Sequence, residues 1–100
     1  MSVICTVIWD IKPERKEEFV RALAKMFEVT KTHPGFISIR LMKSDTTDNG
    51  FLLFQEWETT QHHQEYVKFR DANGDLVLLA DMTASETLIH YWDTTPLASA

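Results

Sequence analysis

The stretch Phe51-Leu52-Leu53-Phe54-Gln55-Glu56-Trp57 decides the fold of this chain. Successive side chains of a β-strand point to opposite faces, so Phe51, Leu53 and Trp57 share one face while Leu52 and Phe54 share the other. Both faces are apolar and both need cover. A chain of 100 residues has too few helices for two faces. We therefore expect its own helices on one face, a second subunit on the other, and a pocket near Trp57.

Composition indicates a single globular domain over residues 1–100, with residues 94–100 as a loose tail. The chain is 44% hydrophobic and 25% charged, as is usual for such a domain. No stretch approaches the roughly 18 apolar residues of a membrane span, and a basic, apolar signal sequence is missing at the N-terminus. We expect a cytoplasmic protein without a membrane partner.

The charge pattern argues against nucleic acid as a partner. There are 15 acidic and 10 basic residues, a net charge of -5, and the basic residues are scattered along the chain. The single cysteine, Cys5, lies in an apolar strand and is interpreted as a small buried hydrophobe. A disulfide framework is therefore impossible.

The flanking sequence predicts a ferredoxin-like α+β fold. Apolar periodicity, turn residues and helix breakers indicate strands at 3–10, 36–43, 51–58 and 87–92, and helices at 13–32, 59–70 and 75–82. The first helix ends at His33-Pro34-Gly35. The order βαββαβ corresponds to a four-stranded antiparallel sheet with helices on one face.

Candidate site residues begin with His62 and His63. Adjacent positions on a helix point about 100 degrees apart, so the pair cannot chelate one metal, and no metal site is predicted. One of them can face the pocket as a base near neutral pH. The alternative is two solvated helix histidines.

Aromatic residues nearby are candidates for substrate binding. Trp57 offers a flat apolar wall with one N–H donor, and the hydroxyl of Tyr66 can donate to a substrate oxygen. Phe69 follows Tyr66 at helical spacing. The alternatives are core packing for Trp57 and a helix edge for Tyr66.

Arg40 is the one charged residue inside an otherwise apolar strand. It either pairs with Glu56 on the neighbouring strand, which is the preferred interpretation, or binds an anionic oxygen of the substrate.

Several of these segments together resemble the antibiotic biosynthesis monooxygenase family of dimeric α/β-barrel proteins. The resemblance rests on the first strand with Lys12-Pro13, the turn at residues 32–36, and the strand ending in Gln55-Glu56-Trp57, with Tyr66 where many members carry His or Tyr. It covers nearly the whole chain. The haem-degrading members carry an Asn in the first strand and a His about ten residues after the Trp. Both are missing here, so the resemblance does not extend to haem.

This resemblance implies a homodimer and a reaction of a quinol, phenol or anthrone with dioxygen that uses no cofactor. Trp57 would serve as wall and donor, Tyr66 as oxyanion donor, and His62 or His63 as base. Two alternatives remain at this stage: a non-catalytic dimeric module that binds a small molecule, and an isomerase or cyclase that works without oxygen.

Overall fold

The computed structural model describes residues 1–100 and has the predicted element order. Its four strands are β1 (Val3–Asp10), β2 (Phe36–Lys43), β3 (Gly50–Trp57) and β4 (Leu88–Asp93). Its helices are α1 (Lys16–Thr30), preceded by a 3₁₀ turn at Pro13–Arg15, α2 (Thr60–Ala72) and α3 (Asp75–Met82). No helix is both long and apolar enough to cross a bilayer.

The four strands form one antiparallel sheet in the order β2-β3-β1-β4. The two apolar strands, β1 and β3, occupy the centre, where Val7 lies opposite Leu53 and Cys5 opposite Gln55. This confirms the predicted ferredoxin-like fold. The central position of β3 explains why it needs cover on both faces.

The chain's own helices cover one face of the sheet. In β3 the buried positions alternate strictly and comprise Phe51, Leu53, Gln55 and Trp57. Helix α1 packs Phe19 between Trp9 and Phe51, with ring centroids 5.1 and 5.2 Å apart. The core therefore lies between the helices and this side of the sheet.

The opposite face of the sheet, here called the open face, has no cover within this chain. It carries Ile8, Leu52, Phe54, Leu88 and Trp92, which alternate with the buried positions. The side chains of Leu88 and Trp92 are 48% and 53% exposed. Thr6, His90 and Arg40 also lie on this face, but an exposed sheet face with so many large apolar side chains is typical of an interface.

The turn between α1 and β2 brings the backbone close to α2. Gly35 has φ of +81°, and a Cβ added to it would lie 2.6 Å from Cβ of His62 and closer still to its Cγ. The Cβ of His62 is fixed by helix α2, so a rotamer change does not relieve this contact. Only glycine fits here.

Gly35→Ala should destabilise the protein more than Gly74→Ala does. Gly74 has nearly the same φ, +79°, but a Cβ added to it would have no neighbouring atom within 4 Å. The control substitution should therefore cost only the left-handed strain, about 1–2 kcal/mol, whereas Gly35→Ala adds about 1–3 kcal/mol of overpacking. Urea unfolding midpoints measure the difference. Equal losses would show that the contact with His62 is unimportant.

Candidate active site

A cavity of about 260 Å³ lies between the sheet and the three helices. Most of its wall is apolar, including Val7, Leu23, Met26, Phe27, Leu53 and Leu79. Polar groups come from Gln55 on β3, Thr87 next to β4, and His63, Tyr66 and Arg70 on α2. An apolar cavity with a few polar groups on one wall is the usual form of a small-molecule site.

The two adjacent histidines in the first turn of α2 point in different directions. Thr59 caps the helix by accepting a hydrogen bond from the His62 backbone N–H at 3.1 Å, and its hydroxyl lies 2.8 Å from His62 Nδ1. This holds the ring of His62 at the helix end, away from the cavity. His63 points inward, lines the cavity and is only 4% exposed.

His63 belongs to a row of four hydrogen-bonded side chains. Trp57 Nε1 donates to Gln55 Oε1 at 3.0 Å, Gln55 Nε2 lies 3.4 Å from His63 Nε2, and His63 Nδ1 lies 2.7 Å from the Tyr91 hydroxyl. No buried side-chain nitrogen or oxygen lacks a partner. The row therefore joins both central elements of the site, β3 and α2, to strand β4.

Burial controls the ionisation of this row. It lowers the pKa of His63 to about 4, so the ring is neutral at pH 7. It also raises the pKa of Tyr91, with a smaller contribution from Cys5, and raises the pKa of Cys5 to about 12. The site consequently contains a neutral imidazole and no thiolate.

A second network holds the other end of the cavity. Arg70 donates to the Tyr66 hydroxyl at 2.7 Å, to the Met26 carbonyl at 2.7 Å, and to Asp75 at 3.0 Å. Thr30 donates to the Met26 carbonyl, so its oxygen accepts the proton of the Tyr66 hydroxyl at 2.6 Å. The Tyr66 hydroxyl therefore donates its proton to Thr30 and not into the cavity. Tyr66 contributes its ring to the cavity wall.

The other predicted site residues lie outside the cavity. Trp57 is fully buried, stacks against Tyr66 with centroids 5.1 Å apart, and gives its N–H to Gln55. Phe69 packs against His33. Arg40 lies on the open face, because its neighbour in β2, Ile39, lines the cavity and successive strand residues point to opposite faces.

The predicted ion pair between Arg40 and Glu56 is not formed. The guanidinium of Arg40 lies over the ring of Phe54, 4.7 Å from its centroid, because Phe54 and not Glu56 is its cross-strand neighbour. Glu56 instead accepts a hydrogen bond from Ser2.

Sequence reasoning missed Gln55, Arg70 and Tyr91. Gln55 could have been identified from the sequence. It points to the same face of β3 as Leu53 and Trp57 and is therefore a polar group on a buried face. Tyr91 had no such signal, because its partner His63 lies 28 positions away along the chain. Arg70 had a partial signal, since Tyr66 and Asp75 lie four and five positions away, but its contact with the Met26 carbonyl spans 44 positions.

The buried His63 should make stability depend on pH between about 6.5 and 4. The unfolded chain binds a proton below pH 6.5 while the folded ring does not, so stability falls as pH decreases through this window. The loss should approach about 1.4 kcal/mol per pH unit and total about 3 kcal/mol. His33 adds to it, since burial also lowers its pKa.

Urea unfolding of wild type and His63→Gln at pH 8, 6 and 4.5 measures this effect. The free energy difference between them at pH 8 is the reference, and the gap should shrink as pH falls. A constant gap would mean that His63 titrates normally.

Comparisons with known proteins agree with this architecture. A family model described as antibiotic biosynthesis monooxygenase matches residues 1–72. An uncharacterized protein of Synechocystis is 38% identical over 47 residues, which are 47% of this chain and 32% of that protein. The chain thus matches about a third of the length of this relative.

Solved structures share the fold at low sequence identity. A conserved protein from Methanosarcina mazei superposes with a TM-score of 0.87 at 17% identity, covering 95% of this chain and 94% of the other. SnoaB, a cofactor-independent oxygenase from Streptomyces nogalater, superposes with a TM-score of 0.78 at 15% identity, covering 98% of both chains.

Proposed function

The chain belongs to the antibiotic biosynthesis monooxygenase family, and from this premise we propose that it oxidises a small electron-rich aromatic with dioxygen, without a cofactor. The observation that carries the proposal is the neutral imidazole of His63 on the wall of a mostly apolar cavity. A group that accepts a proton, placed where water is scarce, is what such chemistry requires of the protein.

Cavity size supports a small substrate. The volume of about 260 Å³ is slightly below the range of about 300–1,000 Å³ common for ligand pockets. A system of one to three fused rings suits this space better than a larger polyketide does. The mainly aliphatic wall, with Trp9, Phe27 and Tyr66 as aromatic members, suits a flat apolar ring system.

The reaction needs no external reductant. Loss of a proton from a phenol, quinol or anthrone gives an anion that passes an electron to dioxygen, and the two radicals then combine at a ring carbon. One oxygen atom stays on that carbon as a carbonyl. The second leaves as water with the two hydrogen atoms that the substrate gives up.

The acidity of the substrate decides whether His63 serves as the base. Transfer from a phenol of pKa about 10 to an imidazole of pKa about 4 costs about 8 kcal/mol. Attraction between the two ions about 3 Å apart returns about 5 kcal/mol at an effective dielectric of 20. The balance favours aromatics that are more acidic than simple phenols.

Other residues would support His63. Tyr91 accepts the N–H on the far side of the ring and stabilises the imidazolium once it forms. Gln55 can donate to the substrate oxyanion, a role that the sequence suggested for Tyr66. Tyr66 and Trp57 would shape and support the wall.

His63→Gln should lower oxygen uptake by about 10²–10⁴-fold, the usual contribution of a general base. The assay measures oxygen consumption by the flavin-free and metal-free protein with hydroquinones, naphthols and anthrones, after subtraction of autoxidation. His62→Gln is the matched control, because the neighbouring ring lies outside the cavity. It should retain wild-type turnover.

Other outcomes would redirect the assignment. Full activity in His63→Gln would remove the imidazole from the mechanism. Absence of uptake across the panel, together with proton exchange at a substrate carbon, would favour an isomerase or cyclase. Binding without either would favour a non-catalytic module.

We also propose that the open face pairs with that of a second copy. Its apolar members Ile8, Leu52, Phe54 and Leu88 lie on all of β1, β3 and β4, and each large side chain that is buried contributes about 1.5–3 kcal/mol. An isologous pairing of the two sheets would remove this surface from water.

Ile8→Glu should convert the dimer into a monomer, because it places a charge between Leu52 and Leu88 at the centre of the open face. Light scattering after size-exclusion chromatography at micromolar concentration gives the mass. Val77→Glu is the control, since Val77 lies on α3 and is 71% exposed. A wild-type monomer would contradict the proposal.

A further inference from the structure

We infer that Gln55 and His63 form a donor–acceptor pair that selects aromatic ligands carrying a hydroxyl group and discriminates against their carbonyl or methyl counterparts. The inference deepens the proposed function and rests on it for the location of the substrate. It follows from the orientation of two side chains that line the cavity.

Trp57 determines how the Gln55 amide is oriented. An indole N–H can only donate, and Trp57 Nε1 lies 3.0 Å from Gln55 Oε1. The reversed amide would place two donors against each other in a fully buried part of the core, where an unpaired donor is costly. The Gln55 NH₂ group therefore faces His63.

This orientation determines which nitrogen of His63 carries the proton. Gln55 Nε2 donates, so His63 Nε2 must accept and is unprotonated in the neutral ring. The proton is then on Nδ1, which donates to the Tyr91 hydroxyl at 2.7 Å. Every member of the row has a compatible partner in this arrangement.

The pair presents one donor and one acceptor to the cavity. Gln55 Nε2 and His63 Nε2 are 3.4 Å apart, beyond the usual 2.7–3.2 Å of a good N–H hydrogen bond. A ligand hydroxyl that accepts from Gln55 and donates to His63 replaces this weak contact with two good ones.

Other functional groups satisfy only part of the pair. A carbonyl oxygen accepts from Gln55, but it sets its remaining lone pair against that of His63 Nε2. A methyl group satisfies neither. A site built to bind a hydroxyl group rejects analogues without one, because its polar groups are left unpaired. Oxidation of the bound hydroxyl to a carbonyl would therefore weaken binding and favour release.

Anaerobic titration with 2-naphthol and its near-isostere 2-methylnaphthalene tests this selection. The naphthol should bind about tenfold more tightly or better, as expected for one satisfied polar pair. Gln55→Met should reduce this ratio to near one. A second pair of variants tests the role of Trp57. Trp57→Phe is compared with Trp92→Phe as its control, because both indoles donate to a side-chain oxygen but Trp92 donates to Thr6 on the open face.

Trp57→Phe frees the amide to reverse and should also reduce the ratio, whereas Trp92→Phe should leave it unchanged. Equal affinities in the wild type, or no binding of the naphthol, would overturn the inference.

The tautomer of His63 gives a second test that needs no variant. Nitrogen-15 NMR of the wild type at pH 7 should show His63 protonated at Nδ1 and unprotonated at Nε2. The opposite tautomer would overturn the inference. Neither test requires turnover, so hydroxyl selection without oxygen uptake would retain this inference and reject the proposed oxygenation.

Discussion

The arrangement of the site depends on one buried amide. Gln55 lies on the face of β3 that the helices cover, among apolar side chains, and is 2% exposed. A buried polar group is costly unless its hydrogen bonds are made, and here Trp57 and His63 provide them. The same bonds connect the end of β3 to the first turn of α2. The hydrogen bonds of the Gln55 side chain therefore fix the position of this helix relative to the strand.

Arg70 has a comparable role at the other end of the cavity. Its guanidinium connects α1 through the Met26 carbonyl and α3 through Asp75, while it sits on α2 itself. Its side chain is 8% exposed, and its charge is balanced by one carboxylate and several oxygen acceptors. The desolvation of a buried charge offsets much of the attraction of its ion pair, but the network restricts how the helices can pack. The two polar networks thereby hold open a cavity that apolar packing alone would tend to fill.

Much of the fold was predictable because its signals are local. The alternation of Phe51, Leu53 and Trp57 against Leu52 and Phe54 identified both faces of β3, and His33-Pro34-Gly35 placed the end of α1 within two residues. The functional site was harder to predict from the sequence. Parity placed Arg40 on the same side as Met42, but the sequence did not say which side the helices would cover, so its place on the open face could not be predicted.

The sequence by itself determined the order of strands and helices, the two apolar faces of the sheet and the absence of a disulfide, since these follow from the periods of 2 and 3.6 residues and from residue counts. Only the tertiary structure decided that His63 and not His62 enters the cavity, that Tyr66 gives its proton to Thr30, and that Tyr91 meets His63. These outcomes depend on strand register and on the rotation of α2 against the sheet. Both are set by the packing of the whole core, so neither can be obtained from the spacing of residues along the chain.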